Sequence, residues 1–440
     1  MPGCTIRRST HDIASKEAKT IACSAEEEGC VISQKRSRGN TGLGWAARHG
    51  QEEVVKILLT RDEIDPNKLD NLDQTPLWWA TLNDHEGVVK ILLSRGDTNP
   101  NRADEYRRTP LWLAAADGHE AVVKMLLGRE DTDPNLYDEF QRTPLLMAVL
   151  NGHEGVVKML LERDDTDPNE FDRDDSTPLW IAAATGHQGL VKMLLGRSDT
   201  DPNVPPNKYS EPPLVVASKR GHEEVVKLLL ERDDIRPDDR DRYNHTALFY
   251  AASYGHEGVA KALLARDDVD IDTPSGYFLI LLSNAAHSGH AGVVKLLLRQ
   301  YRSRPVGVGK SPLLWAAQNG LKEVVEISLA LGIDPNRPDE RGQTPLTKAA
   351  ENGHEEVVKI LLERDNVSPS KPDKDGQSPL WWAARNGHEG VVRLLLEQEG
   401  DINNIPNRHE QTPLSIATRY GHLGVISLLQ PLADAAHKTT

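Results

Sequence analysis

The chain has 440 residues, with 52 lysines and arginines against 67 aspartates and glutamates, giving a formal net charge of −15 at pH 7. That acidic balance opposes the wrapping of a nucleic-acid backbone, so no direct DNA or RNA binding is expected, and a protein partner with a basic surface is the better electrostatic match. Three cysteines, Cys4, Cys23 and Cys30, all near the N-terminus, exclude a disulfide-built fold and fit a reducing compartment.

In chain order, residues 1–40 read as a poorly ordered N-terminal segment or a short capping helix, with Ala14, Ala18, Ile21 and Ala25 at helical spacing. The first 25 residues lack an apolar core, so no secretory signal is expected. Lys35-Arg36-Ser37-Arg38 is a small basic cluster of the kind read by nuclear import. No stretch approaches the roughly 20 apolar residues of a membrane helix, so no membrane partner is expected. The expected location is cytoplasmic or nuclear, not secreted. Asn244-His245-Thr246 and Asn366-Val367-Ser368 match the glycosylation pattern but carry no weight without an export signal.

From residue 41 to about 430 the chain repeats itself. Gly50, Gly118, Gly152, Gly186, Gly221, Gly255, Gly289, Gly320, Gly353, Gly387 and Gly421 mark the period, with Asp84 in the slot between the first two, at steps of 31 to 35 residues. Residues 65–98 show the unit. Asp65-Pro66-Asn67 and Asp70 to Gln74 are turn-rich and read as a loop or β-hairpin. Thr75 is an N-cap and Pro76 suits the first helical position. A short apolar helix runs to about Leu82, and a turn at Asn83-Asp84-His85 reverses the chain. A second helix carries Val88, Val89, Ile91, Leu92 and Leu93, with Glu86 near its start and Lys90 and Arg95 toward its end, the order its dipole favours. Neither helix can bury its apolar face alone, so neighbouring units must stack.

About twelve such units are expected. Eight open with Thr- or Ser-Pro-Leu, at 75, 109, 143, 177, 311, 344, 378 and 412; worn openings stand at Thr41, Pro212, Thr246 and Ile280. The Thr-Pro-Leu, Ala-Ala, Gly-His, Val-Val and Leu-Leu marks, in phase along residues 41–430, resemble the ankyrin-repeat family. The Arg-Asp-Asp and Asp-Pro-Asn closings, as in Arg163 to Asn169, look like the long arrays common in filamentous fungi. The resemblance implies an all-α repeat solenoid, each unit a helix-turn-helix plus a β-hairpin or loop. All eight tryptophans (Trp45, Trp78, Trp79, Trp112, Trp180, Trp315, Trp381 and Trp382) fall three or four residues after the opening Thr or Ser. They read as packing between units; ligand contact is the alternative.

The array is uneven at two junctions. Residues 204–213 gain a residue and four prolines. Residues 299–310 lose the Asp-Pro-Asn, shorten the period to 31, and are locally basic. A quasi-one-dimensional fold breaks cooperativity at such places, so a stability boundary is expected near 299–310. Residues 431–440 form a tail.

No chemistry of catalysis emerges. Gly307 to Ser311 imitates the end of a phosphate loop, but Arg304 stands where the first glycine is required, and Ser311-Pro312-Leu313 merely opens a unit. Ten histidines, among them His85, His153 and His388, occupy one turn of successive units, too far apart to share a metal ion. Acidic turns such as Arg232-Asp233-Asp234 read as solvated helix ends. Repetition itself argues against the unique constellation an active site needs, so no catalytic, cofactor-binding or metal-ligating residue is expected.

Function is expected on the outer wall. By the family resemblance, finger tips and first-helix ends touch partners; those slots hold Tyr106, Arg108, Tyr137, Phe140, Arg142, Phe171, Arg242, Tyr243 and Tyr254, along a stripe from 105 to 254. Leu150, Arg173, His245 and Ser253 fall in the same slots. Aromatic residues and Arg are the usual anchors of protein interfaces; packing of each ring on the next finger is the bland alternative. The reading is a non-catalytic scaffold or adaptor for a protein partner. Its alternatives are a nuclear transcriptional co-regulator acting through protein contacts, and the recognition array of a longer multidomain receptor.

Overall fold

The computed structural model describes residues 41–203, 211–272, 276–303, 311–398 and 405–436. The segment 1–40 with its cysteines and basic cluster, most of the proline-rich junction (204–210), the phosphate-loop imitation (304–310) and residues 437–440 lie outside the described residues. The described residues hold 24 helices and no strand. They fall into two compact units, one of the described residues up to 182 with 189–201, the other of 183–188 with the described residues from 202 on.

Most repeats are built by the same local chemistry, seen clearly at 109–138, though Ser311 makes no side-chain cap bond. The Thr109 hydroxyl accepts from the Trp112 N–H at 3.1 Å and Pro110 takes the first helical position; such a cap is worth about 1 kcal/mol. The helix Pro110–Asp117 ends at Gly118, whose φ of 77° is left-handed. The second helix, Glu120–Leu127, buries Val122, Val123 and Leu126 completely, each worth roughly 1.5–3 kcal/mol of apolar transfer. The worn openings at Thr41 and Thr246 keep the hydroxyl cap. Pro212 and Gly276 supply none. The last helix, Leu423–Ala436, runs through Pro431 into the segment read as a tail.

Within each unit first helices pack on first helices and second on second, so Pro76–Leu82, Pro110–Asp117 and Pro144–Asn151 form one layer and Glu86–Leu93, Glu120–Leu127 and Glu154–Leu161 the other. In the second unit Pro345–Asn352, Pro379–Asn386 and Pro413–Tyr420 stack in the same way. This is an α-solenoid arrangement. No tryptophan is exposed: Trp78, Trp112 and Trp381 are buried and the other five half-buried. Trp78, Trp112, Leu113 and Met147 form one cluster across three repeats.

The recurrent polar residues join the repeats to each other. The Nε2–H of His85 donates to the Arg48 carbonyl at 3.0 Å, 37 residues back, and His153, His256, His290, His388 and His422 repeat the bond. The acidic turns are not free helix ends. Arg163 grips Asp165 with Nε and Nη2 while its Nη1 donates to the Leu127 and Arg129 carbonyls of the preceding repeat. Arg129 and Arg197 do the same. Asn101 of one Asp-Pro-Asn-type loop donates to the Asp131 carbonyl and accepts from the Asp133 N–H, bracketing the next loop.

Between repeats stands a finger, and of the expected loop or β-hairpin the described residues show a turn without strand. Asp104 Oδ1 accepts from the Tyr106 and Arg108 N–H groups at 3.0 and 2.9 Å, and Arg107 takes φ 64°. Adjacent fingers share one backbone bond, Glu139 N–H to Tyr106 carbonyl at 3.0 Å and Arg173 N–H to Phe140 carbonyl at 3.0 Å. One bond per step does not make a ladder.

Candidate functional site

In the first unit the slot two residues past the finger aspartate holds Leu72, Tyr106 and Phe140, which are 45–49 % exposed. Tyr137 and Phe171, one residue before Asp138 and Asp172, are 38–41 % exposed. Five large apolar side chains thus stand at the tips of successive fingers, together with Leu150 at a first-helix end. Finger geometry explains the exposure. The aspartate carboxylate turns inward to hold the tip's N–H groups, which leaves the residue two places on facing out.

The arginines beside these rings are engaged. Arg108 donates through Nε and Nη2 to Asp104 Oδ2 at 2.9 and 2.7 Å, and its charge lies 5.0 Å from the Tyr106 ring and 5.9 Å from the Trp112 ring. Arg142 grips Asp138 in the same way, 4.8 Å from Phe140 and 5.9 Å from Trp112. Both aspartate side chains are buried, and about 30 % of each arginine side chain remains at the surface. Arg107 stacks 4.4 Å from Tyr137 and Arg173 5.8 Å from Phe140. Trp112 donates its indole N–H to the Arg142 carbonyl at 2.8 Å, tying one repeat's first helix to the next finger. The result is a shallow hollow of about 160 Å³ lined by Tyr106, Trp112, Phe140, Arg108, Arg142, Asp138 and Glu139.

The Tyr106 phenol sits beside the Glu105 carboxylate, whose charge and hydrogen bond hold it above the usual tyrosine value. The fifth opening differs. Ser176 stands where Arg108 and Arg142 stand in the preceding fingers, and burial pushes the Asp172 carboxyl up, against the opposing pull of the Ser176 and Asp174 N–H groups.

The second unit has its own aromatic group. Tyr243 and Tyr254 are 53–57 % exposed, and Arg242 lies 4.7 Å over the Tyr243 ring. Behind them His245 stacks on Phe249 at 3.7 Å, and Tyr250 stacks on Tyr254 at 6.0 Å. The Tyr250 hydroxyl donates to Asp241, and Lys219 lies 5.0 Å over its ring. Burial, followed by that bond to Asp241, pushes the Tyr250 phenol well up. The structure thus sets Tyr106, Arg108, Phe140 and Arg142 round one hollow in the first unit, with Tyr137 and Phe171 exposed on the fingers beside it, and in the second unit lays Arg242 over Tyr243, with Tyr254 exposed against Tyr250.

Sequence reasoning missed Leu72, Arg107, Phe249, Tyr250 and Lys219. Leu72 was findable, because it follows Asp70 by the two residues that separate Tyr106 from Asp104. Arg107 sits at a left-handed tip position where glycine is the usual occupant, and Gly342 and Gly376 fill that place in later fingers. Among the described residues no group of three or more His, Cys, Asp or Glu side chains is arranged to hold a metal ion, and no helix is long and apolar enough to cross a membrane.

The family model for ankyrin repeats (three copies) matches residues 13–104, 43–138, 111–206, 200–275, 282–373 and 365–439. No curated protein matches the chain. Among solved structures, the ankyrin repeat domain of Bcl-3, a unique member of the IkappaB protein family, is similar at 24 % identity, covering 52 % of this chain and 99 % of that one with a TM-score of 0.46.

Proposed function

The chain belongs to the ankyrin-repeat family, and from that premise we propose that it is a non-catalytic scaffold holding a protein partner on the finger tips and first-helix ends, above all those of its first unit. Ankyrin repeats serve in general as protein–protein interaction modules. The single observation that carries the reading here is the row of half-exposed Leu72, Tyr106, Tyr137, Phe140 and Phe171 on consecutive fingers.

The physics of the row suits binding. An exposed ring is a good anchor when it is already rigid, because little side-chain entropy remains to be lost. Tyr106 and Phe140 are held from beside by arginines that are themselves locked onto buried aspartates. Rings and guanidinium edges together form the residue mixture that dominates interface energetics. Arg242, Tyr243 and Tyr254 offer a second contact of the same kind in the second unit.

The test is comparative affinity purification with mass spectrometry. Tyr106→Ala with Phe140→Ala is set against Lys124→Ala with Lys158→Ala, lysines exposed on the second helices. A partner recovered with the wild type and the lysine variant, and lost by about tenfold or more with the ring variant, supports the site. Equal recovery by all three at unchanged thermal stability overturns it.

A further inference from the structure

We propose that the last repeats of the second unit carry a separate docking face for an acidic peptide segment of a protein partner, with Arg385 as its anchor. The first observation is the state of that arginine. Arg385 is half-buried, and its charge lies 5.1 Å from the Trp382 ring, 5.6 Å from Trp381 and 6.0 Å from Tyr420. Among the described residues no hydrogen bond or ion pair reaches its side chain. Arg108, Arg142 and Lys219, which also lie against rings, are neutralised by Asp104, Asp138 and Glu211, and Glu351 in the repeat before Arg385 is taken up by Lys348 at 3.1 Å. In the first unit arginines steady the rings; here rings steady an arginine whose charge and N–H donors are unmet. A half-buried guanidinium without an acceptor is costly, and a carboxylate is the group whose two oxygens match its fork.

The second observation is a reversal of charge in one finger slot. The residue after the finger aspartate is Glu105 and Glu139 in the first unit; in the last two fingers that slot holds Lys374, after Asp373, and Arg408, after Asn407. Both cations are exposed. Their stems lie on glycines of the preceding fingers: the Cγ of Lys374 is 3.3 Å from where a Cβ on Gly342 would stand, and that of Arg408 3.4 Å from the same place on Gly376. The third observation is continuity. The Trp382 indole N–H donates to Asp373 Oδ2 at 3.0 Å, which fixes the ring between the finger of Lys374 and the Arg385 guanidinium. Tyr420, 52 % exposed, and the exposed Arg419 extend the face on the next first helix. Lys374, Arg385, Arg408 and Arg419 outnumber the exposed Asp375 and Glu410 and the inward-turned Asp373, so the face is locally positive in a chain of net charge −15. The chain-wide balance asks for a basic partner; this face asks for the opposite, and the acidic remainder confines an acidic segment to it. Arg, Trp and Tyr are also the residues in which interface energy concentrates.

The test selects random peptides displayed on phage against the full chain at low salt, then titrates the enriched peptides, synthesised with a fluorescent label, by anisotropy. A family with clustered Asp and Glu is expected, and its binding weakens as salt is raised. Arg385→Gln is expected to weaken that family by about tenfold or more, and Arg385→Lys, which keeps the charge but loses the fork, by less. Lys374→Glu with Arg408→Glu, two exposed positions whose change leaves the fold intact, is expected to weaken it by a similar factor. Tyr106→Ala with Phe140→Ala is expected to leave it unchanged, which separates this face from the finger tips of the first unit. The proposal falls if no acidic family is enriched, or if such peptides bind the Arg385→Gln and the double Glu variants as well as the wild type. It falls equally if the ring variant loses them. A short single-stranded DNA that binds the wild type more tightly than these peptides, and is lost with Arg385→Gln, gives the face to nucleic acid instead.

Discussion

Asp84 occupies the slot that glycine holds in nearly every other repeat, and it does so at φ 54°. At the equivalent positions the next repeat's histidine ring lies against the glycine; the ring atoms of His153 come within 2.7–3.0 Å of where a Cβ on Gly118 would stand. At Asp84 the side chain fills that space. His119 is left with a buried Nε2 that makes no hydrogen bond, 3.9 Å from an Asp117 oxygen, and with Nδ1 3.6 Å from Asp84. Asp84→Gly removes the left-handed strain and opens the way for His119 to reach the Leu82 carbonyl, 37 residues back, as its counterparts do. A gain of about 1–2 kcal/mol is expected in denaturant unfolding. No gain would show that the histidine bond contributes nothing net. Asp172 gives a pH-dependent case. Its carboxyl is raised, so the folded state binds a proton more readily than the unfolded chain, and stability falls as pH rises from the ordinary carboxylate value through the raised one. Asn407 holds the same turn in the last finger with its amide oxygen, accepting from His409 and Gln411 N–H at 2.9 Å. Asp172→Asn is therefore expected to keep the finger, raise Tm by about 1–3 °C at neutral pH and flatten that acidic slope. A slope that persists in the variant would assign it to another group.

At the scale of elements, stability resides in bonds that cross between repeats. Arg163 makes four hydrogen bonds from three separate nitrogens to Asp165 and two carbonyls, whereas an ammonium has three N–H donors on a single atom. Arg163→Lys, which keeps the charge, is expected to cost about 1–3 kcal/mol and to raise exchange at the ends of helices Glu120–Leu127 and Glu154–Leu161. An effect below a few tenths of a kcal/mol would reduce the Arg–Asp pair to the ordinary surface bridge its exposed aspartate suggests. This same crossing explains what was legible in the sequence. Thr109, Pro110 and Gly118 act within four residues of themselves, so capping and helix ends could be read directly. The histidines read only as turn formers, because their acceptors lie 37 residues back and appear only once repeats are stacked. Arg108 and Arg142 read as free partner contacts. Their hold on Asp104 and Asp138, four residues earlier, needs the finger's turn to bring the groups together, and no helical or strand period signals that turn. Exposure of Tyr106 and Phe140 was legible for the opposite reason, since slot and side chain repeat in phase.

For the whole molecule, a repeat array is as cooperative as its weakest junction. Within the second unit the stitching thins toward 299–310. The helix Tyr277–His287 starts from Gly276 without a side-chain cap. Ser328, in the helix Lys322–Ala330, is completely buried with its hydroxyl unpartnered, in the slot where Leu361 and Leu395 stand in the following repeats. A buried hydroxyl without a partner costs about 1–3 kcal/mol, and the missing leucine withholds its apolar transfer as well. We therefore expect two exchange-protection levels in this unit, with helices from Pro213 to Ala291 differing from those between Pro345 and Leu396, and the change falling beside the Lys322–Ala330 helix. Ser328→Ala removes the hydroxyl without asking for new space. It is expected to raise protection in that helix by about tenfold and to narrow the step between the two levels. Uniform protection across the junction in the wild type would remove the boundary, because the defect at Ser328 would then be shared by the whole unit and not felt where it sits.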